Sequence, residues 1–243
     1  MLGRQERASR LLRQWFTGLL QKCLVRNGSD ATKILTHINK FGRNANVDQA
    51  AVPIADDGVT LANWQASAAA ATNIISSDNA DNGATATGAL TCIVHGLDAN
   101  YQYVTEEVTL NGSTQVVLNT AFLRVWRIVV DTAGSGNTNA GAIDVRHSTT
   151  VLARIPIGNN QTEMAMFTVP TGHHGVIEDV YGELEKAGGA TTYVTFRLWT
   201  QAVEKAKRLR LVYSATAAAS THVTHEFGGD REGIHGGVTI EPG

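Results

Sequence analysis

From residue 90 to residue 227 the chain is a succession of short segments rich in Val, Thr and Ile, broken by Gly, Asn, Asp and Ser, with no apolar recurrence at the 3.6-residue period of a helix. Segments of this kind lie at 90–95, 104–110, 114–118, 122–130, 143–147, 151–155, 164–169, 176–184, 191–199, 209–214 and 222–227. Strands spaced at roughly 8–12 residues predict an antiparallel β-sandwich or jelly roll. A parallel sheet would need a crossover helix after each strand, and no such helix is encoded. The expected fold is therefore all-β, with a sandwich body at 90–227. Asn111-Gly112 predicts a type I′ hairpin between 104–110 and 114–118, because both central residues of that turn need positive φ.

The flanking regions read differently. Residues 41–89 are rich in Ala, Asn, Asp, Ser and Thr, including the run Ala68 to Ala71 and the turn-forming Asp78-Asn79-Ala80-Asp81-Asn82-Gly83, and are expected to be an extended, weakly patterned linker. Residues 228–243 read as an unpatterned Gly-rich tail. Charged residues make up only 17% of the chain against a usual quarter or so, so much of the surface must be Ser, Thr, Asn, Gln and Gly. Such a surface suits packing against other protein.

Residues 1–40 carry the one helical signal. Leu11, Leu12, Trp15, Phe16, Leu19 and Leu20 fall on one stripe of an α-helix, with Arg7, Arg10 and Arg13 mostly off it. Asn27-Gly28-Ser29-Asp30 marks its end. Residues 1–43 hold nine Lys and Arg against Glu6 and Asp30, while the remaining 200 residues hold eleven basic and twenty acidic side chains. A basic amphipathic arm on an acidic body favours contacts between neighbouring copies by charge complementarity. The stripe could dock on another subunit, pack on the chain's own sheet, or lie on an anionic membrane surface. Leu11, Leu12, Trp15, Phe16, Leu19 and Leu20, with Phe41 and Arg43 where arm meets body, are the candidate partner-binding residues. Aromatic and arginine side chains are enriched at interface cores. The apolar stretch at 15–20, bounded by Arg13 and Lys22, is far short of the roughly 18 residues a membrane span needs and has no small-residue cleavage site, so neither a span nor a secretory signal is predicted.

The residues that would make an enzyme are absent or wrongly spaced. Gly134-Ser135-Gly136-Asn137 lacks the spacing and following helix of a dinucleotide loop, and no phosphate-binding loop with its Gly-Lys-Ser/Thr ending occurs. His222-Val223-Thr224-His225-Glu226 has the wrong order for a metallopeptidase and the composition of a strand. His173-His174 reads as part of an exposed turn, and Glu106-Glu107 and Glu183 with Glu185 read as exposed strand acids. Cys23 and Cys92 lack any zinc spacing and are expected to be buried free thiols. No catalytic residue, metal or cofactor is expected.

Three ordered stretches point to a family. Asn39-Lys40-Phe41-Gly42-Arg43-Asn44 is followed by His95-Gly96-Leu97-Asp98-Ala99-Asn100-Tyr101 running to Val108-Thr109-Leu110-Asn111-Gly112. Gln161-Thr162 then leads through Phe167-Thr168-Val169-Pro170-Thr171-Gly172, and Phe122 to Arg127 matches the strand in between. Together they resemble a family of tailed-bacteriophage virion structural proteins over residues 39 to about 199. The resemblance implies a structural protein assembling on the capsid exterior or neck, in a decoration, cement or collar role. It would be made in the host bacterial cytoplasm and incorporated into the virion. Expected partners are other copies of the chain, as a homo-oligomer, and other virion proteins, with no nucleic acid and no membrane. The alternative is a tail-fibre or glycan-binding module that recognises a host surface. The loops at 132–142 and 187–192 contain no aromatic residue, which favours the structural role.

Overall fold

The computed structural model describes residues 38–44, 47, 51–55, 59–64, 71–83, 86–177, 180–186, 192–202, 205–217, 221–227 and 238–240. The expected helical arm, with Leu11, Leu12, Trp15, Phe16, Leu19, Leu20 and Cys23, lies outside the described residues.

The described chain is all-β and antiparallel. β1 (Ala71–Ser76), β4 (Val116–Phe122), β6 (Ile143–His147) and β7 (Thr150–Ile155) form one sheet in the order β4-β1-β6-β7. β2 (Ala89–Leu97), β3 (Tyr103–Thr109) and β5 (Arg124–Ala133) form another in the order β3-β2-β5. Alternation along each strand sends one set of side chains inward: Ile74, Leu118, Phe122, Ile143, Val145 and Ile155 from the first sheet meet Cys92, Val94, Val108, Val125 and Ile128 from the second in a single core. Each large side chain fully buried there contributes roughly 1.5–3 kcal/mol of transfer free energy. One helical turn, α1 (Leu61–Trp64), closes an edge of this core. Thr60 Oγ1 accepts the Asn63 amide hydrogen at 3.2 Å, and the Trp64 indole N–H donates to the Val125 carbonyl at 2.7 Å.

Three expectations need correction. First, the stretch read as a linker contains β1, which sits inside its sheet between β4 and β6, with Ile74 opposite Val116 on one side and Val145 on the other. Its six residues, Ala-Thr-Asn-Ile-Ile-Ser, give too little alternation to stand out, because Asn73 and Ser76 are buried beside Ile74.

Second, Asn111-Gly112 does not close a hairpin. β3 pairs with β2 and β4 with β1, so the turn carries the chain from one sheet to the other. Gly112 has φ +58° but Asn111 is not in the left-handed region, which rules out a type I′ turn. The turn is instead tied sideways to the loop after β1. The Gly112 N–H donates to the Asp81 carbonyl (2.7 Å), the Ser76 N–H donates to the Gly112 carbonyl (3.1 Å), and Asn79 Oδ1 accepts from the Ser113 amide (3.0 Å) and hydroxyl (2.6 Å). Glu106 links the two strands without a ladder, its carboxylate accepting from the backbone N–H groups of Asn119 (2.8 Å) and Thr120 (2.7 Å).

Third, residues 164–169 form no strand. They run extended beside β5 and the 51–55 segment, with Met164 and Val169 buried, the Thr162 N–H donating to Ile128 O (3.0 Å) and the Ala165 N–H to Ile54 O (2.8 Å). The region read as one strand at 176–184 is two, β8 (Gly175–Ile177) and β9 (Val180–Lys186). β8 pairs with β13 (Val238–Ile240), inside the stretch read as an unpatterned tail, and β9 with β12 (Thr221–Phe227). β10 (Thr192–Thr200) and β11 (Arg208–Ala217) pair with each other as a long two-stranded ribbon.

Candidate functional site

The polar groups inside the fold are consumed by structure. Asp81 is fully buried and its carboxylate accepts four hydrogen bonds: Oδ1 from the amides of Ala89 and Ala140 (both 2.7 Å), Oδ2 from the Ser76 hydroxyl (2.6 Å) and the Gly141 amide (2.8 Å). It pins the loop after β1 to the start of β2 and to the loop before β6. Asn139, also buried, donates to the carbonyls of Gly141 and Pro156 (both 2.7 Å) and accepts from the Asn160 amide (2.9 Å). Asp144 is held by Arg146 and Arg154, with Arg154 Nε at 2.6 Å from Oδ1. Carboxylates occupied in this way are not available as general acids or bases. Among the described residues no group of three His, Cys, Asp or Glu side chains is placed to hold a metal ion.

Cys92 lies in the core as a free thiol, and burial first, then the carboxylates of Asp81 and Asp131, push its pKa up to about 12. His173 and His174 are exposed on a turn in which Gly172 has φ +74°, as their sequence context predicts.

Three places on the surface of the described residues bring candidate side chains together. The first is the segment 40–44. In this extended piece the even-numbered residues face the protein: Lys40 Nζ donates to the Trp126 carbonyl (2.6 Å), Asn44 Nδ2 donates to the Pro53 carbonyl (3.0 Å), and a Cβ on Gly42 would come within 2.5 Å of Ala165 N and Ile54 O. The odd-numbered Phe41 and Arg43 point outward, Phe41 at 43% exposure. The candidate residues Phe41 and Arg43 are thus brought together on one exposed edge by a backbone locked from behind.

The second is the β10-β11 ribbon. Its inner face holds Phe196 stacked on Tyr213 (centroids 4.6 Å, interplanar angle 12°) against Gly182 of β9, where a Cβ would strike the Tyr213 ring. Its outer face carries Tyr193, Trp199, Leu209 and Val212, exposed at 74, 42, 44 and 49%. Lys207 Nζ stands 4.9 Å from the Trp199 ring centroid, and Arg197, Arg208 and Arg210 are exposed around it. An apolar and cationic sheet face of this kind can bind another surface and offers no reacting group.

The third is the outer face of the β3-β2-β5 sheet. His95 lies opposite Thr105 on one side and Arg127 on the other. Pairing between β2 and β5 slips between His95 and Gly96, where the Arg124 carbonyl approaches so closely that a Cβ on Gly96 would sit within 2.0 Å of it. This bulge brings Trp126 beside Tyr103 (centroids 5.8 Å, 13°), whose hydroxyl meets the edge of the His95 ring (centroids 6.3 Å, 20°), with Tyr103 Oη 2.8 Å from His95 Nδ1. Phe167 packs against Trp126 at a tilt (centroids 4.8 Å, 57°). Burial lowers the pKa of His95, with Arg127 and Lys40 adding to the effect. Lys40, His95, Trp126, Arg127 and Phe167 all lie in the stretches that carry the family resemblance, but nothing in the sequence places them on one face; the register and the bulge do.

Comparison with protein-family models, with curated proteins and with solved structures gives no match.

Proposed function

We propose that this chain is a structural protein of a tailed-phage virion that assembles with its own copies, as a homo-oligomer, and with other virion proteins on the capsid exterior or neck, in a decoration, cement or collar role. The observation that carries this reading is the exposed apolar outer face of the β10-β11 ribbon. Tyr193, Trp199, Leu209 and Val212 together leave a large apolar area in water, and covering each side chain would contribute roughly 1.5–3 kcal/mol before association costs are subtracted. The ordered stretches at 39–44, 95–112 and 161–172 resemble the phage family and support the same assignment. In this reading the two sheets around the common core are the layers of a β-sandwich or jelly roll. Residues 1–40 form a helical arm that anchors the chain through Leu11, Leu12, Trp15, Phe16, Leu19 and Leu20, and Phe41 and Arg43 extend that contact at its root. Carboxylates saturated by backbone amides and arginines speak for assembly over catalysis.

The test is to purify tailed-phage particles from a lysate in which the chain is made, quantify it by mass spectrometry and locate it by imaging. A fixed, symmetry-related copy number on the capsid or neck is expected. Absence from the particles overturns the proposal, and location at fibre tips in contact with a cell-surface glycan replaces it with host recognition.

A further inference from the structure

We propose that the outer face of the β3-β2-β5 sheet is an oxyanion-binding site, in which Lys40, His95 and Arg127 grip a carboxylate or phosphate group above the Tyr103 and Trp126 rings.

Three nitrogen bases converge there from three separate parts of the chain: Lys40 from the segment before β1, His95 from β2 and Arg127 from β5. They stand close enough to repel one another. Burial and then Arg127 hold the Lys40 ammonium down to about 8, and both Arg127 and Lys40 disfavour the protonated form of His95. Among the described residues no carboxylate pairs with Lys40 or Arg127, whereas Asp144 pairs with both Arg146 and Arg154. Glu107, the acid nearest in register on this face, stands opposite Ile93, one row along from His95. Lys40 is fixed in its half-buried position by its bond to the Trp126 carbonyl, leaving two ammonium hydrogens for a ligand. Arg127 is exposed, and its guanidinium reaches Gln161 Oε1 only at a long 3.5 Å. A half-buried cation beside a second cation is unfavourable unless an anion offsets it, and an oxyanion here would receive charge-assisted bonds from both.

The remaining groups shape the site. Tyr103 Oη bonds to His95 Nδ1, fixing the phenol and imidazole against each other, and the stacked rings wall one side. Tyr103 is 53% exposed, so the site is open to solvent and to a large ligand as well as a small one. This inference does not depend on the assembly role: a monomeric protein would bind the anion by the same groups.

The test is calorimetric titration of the full chain with inorganic phosphate and, separately, with acetate, ionic strength being held with chloride. Saturable binding of either is expected, weakened roughly ten-fold or more in Arg127→Gln, whose side chain is exposed, and in Lys40→Gln, each checked for an unchanged far-ultraviolet circular dichroism spectrum. Heats that never saturate, or an equal affinity in the folded Arg127→Gln protein, overturn the site. Sedimentation in saturating phosphate then separates the sources of the group. A fall in particle mass identifies the natural occupant as an acidic side chain of a neighbouring copy, an unchanged mass identifies a free anion, and both outcomes support the same chemistry.

Discussion

Replacing Asp81 by Ala removes the side chain that pins the loop after β1 to the start of β2 and to the loop before β6. Its carboxylate accepts from the amides of Ala89, Ala140 and Gly141 and from the Ser76 hydroxyl, at 2.6–2.8 Å. The hydroxyl can rotate to another acceptor, but the three amides cannot turn away, and a buried N–H left without a partner costs about 1–3 kcal/mol. Water reaching the part-buried Ala140 amide would offset some of this, so the expected loss is about 3–6 kcal/mol, a large share of the 5–15 kcal/mol typical of a domain. Asp81→Asn keeps one oxygen. If it stays at the Oδ1 position the bonds from Ala89 and Ala140 survive and only the Gly141 amide faces a donor, so the loss should be about 1–3 kcal/mol. Urea unfolding followed by tryptophan fluorescence, fitted for midpoint and slope, measures both. An Asp81→Ala protein within about 1 kcal/mol of the parent, or an Asn variant as damaged as the Ala variant, would refute the view that this carboxylate acts through its backbone donors.

Further expectations follow from other parts of the fold. With Cys23 replaced by Ser, the remaining Cys92 thiol, buried and raised to about 12, should be alkylated by iodoacetamide at pH 8 only as fast as the core opens; labelling at the rate of a free thiol would contradict its placement. Gly96→Ala should destabilise the sheet by about 3 kcal/mol or more, since its methyl would collide with the Arg124 carbonyl and the Phe122 ring, and a melting temperature near that of the parent would show that the bulge can relax. Lys40 has a folded pKa of about 8 against 10.5 unfolded, so the unfolded chain holds more protons between these values and stability should rise with pH across that window. Below pH 8 the penalty is fully present. Melting curves of the parent and of Lys40→Gln should therefore diverge in favour of the parent from pH 8 to 10, and parallel curves would refute the burial of this ammonium.

The sequence was most legible where one strand face is buried and the other wet. Residues 143–147 read as a strand and are β6, the segments at 90–95 and 209–214 lie within β2 and β11, that at 191–199 matches β10 from Thr192 on, and that at 122–130 spans the end of β4 and most of β5, with a break at Leu123. β1 was hidden because it is short and lies inside its sheet, its buried Asn73 and Ser76 breaking the expected pattern. The Asn111-Gly112 turn was located correctly but its consequence was misread. The dipeptide fixes where the chain reverses, while the bonds from Asn79, Asp81 and Ser76 decide which strands pair on either side. The pair at 41 and 43 was legible as an aromatic beside an arginine, and the alternation that aims both outward follows from Lys40, Gly42 and Asn44 being tied from behind. The cationic face was not legible. His95, Tyr103 and Arg127 become neighbours only through the register of β2 with β3 and β5, and a bulge adds a side chain to a face that simple alternation would deny it.

The account rests on assembly as the function, and the mass of the full chain in solution tests that most directly. Sedimentation equilibrium over a wide concentration range should give a discrete multiple of 25.9 kDa, and a Trp199→Ser, Leu209→Ser double variant should shift the equilibrium toward the single chain. A full-length protein that remains at 25.9 kDa at every concentration, with its ribbon face intact, would contradict the account.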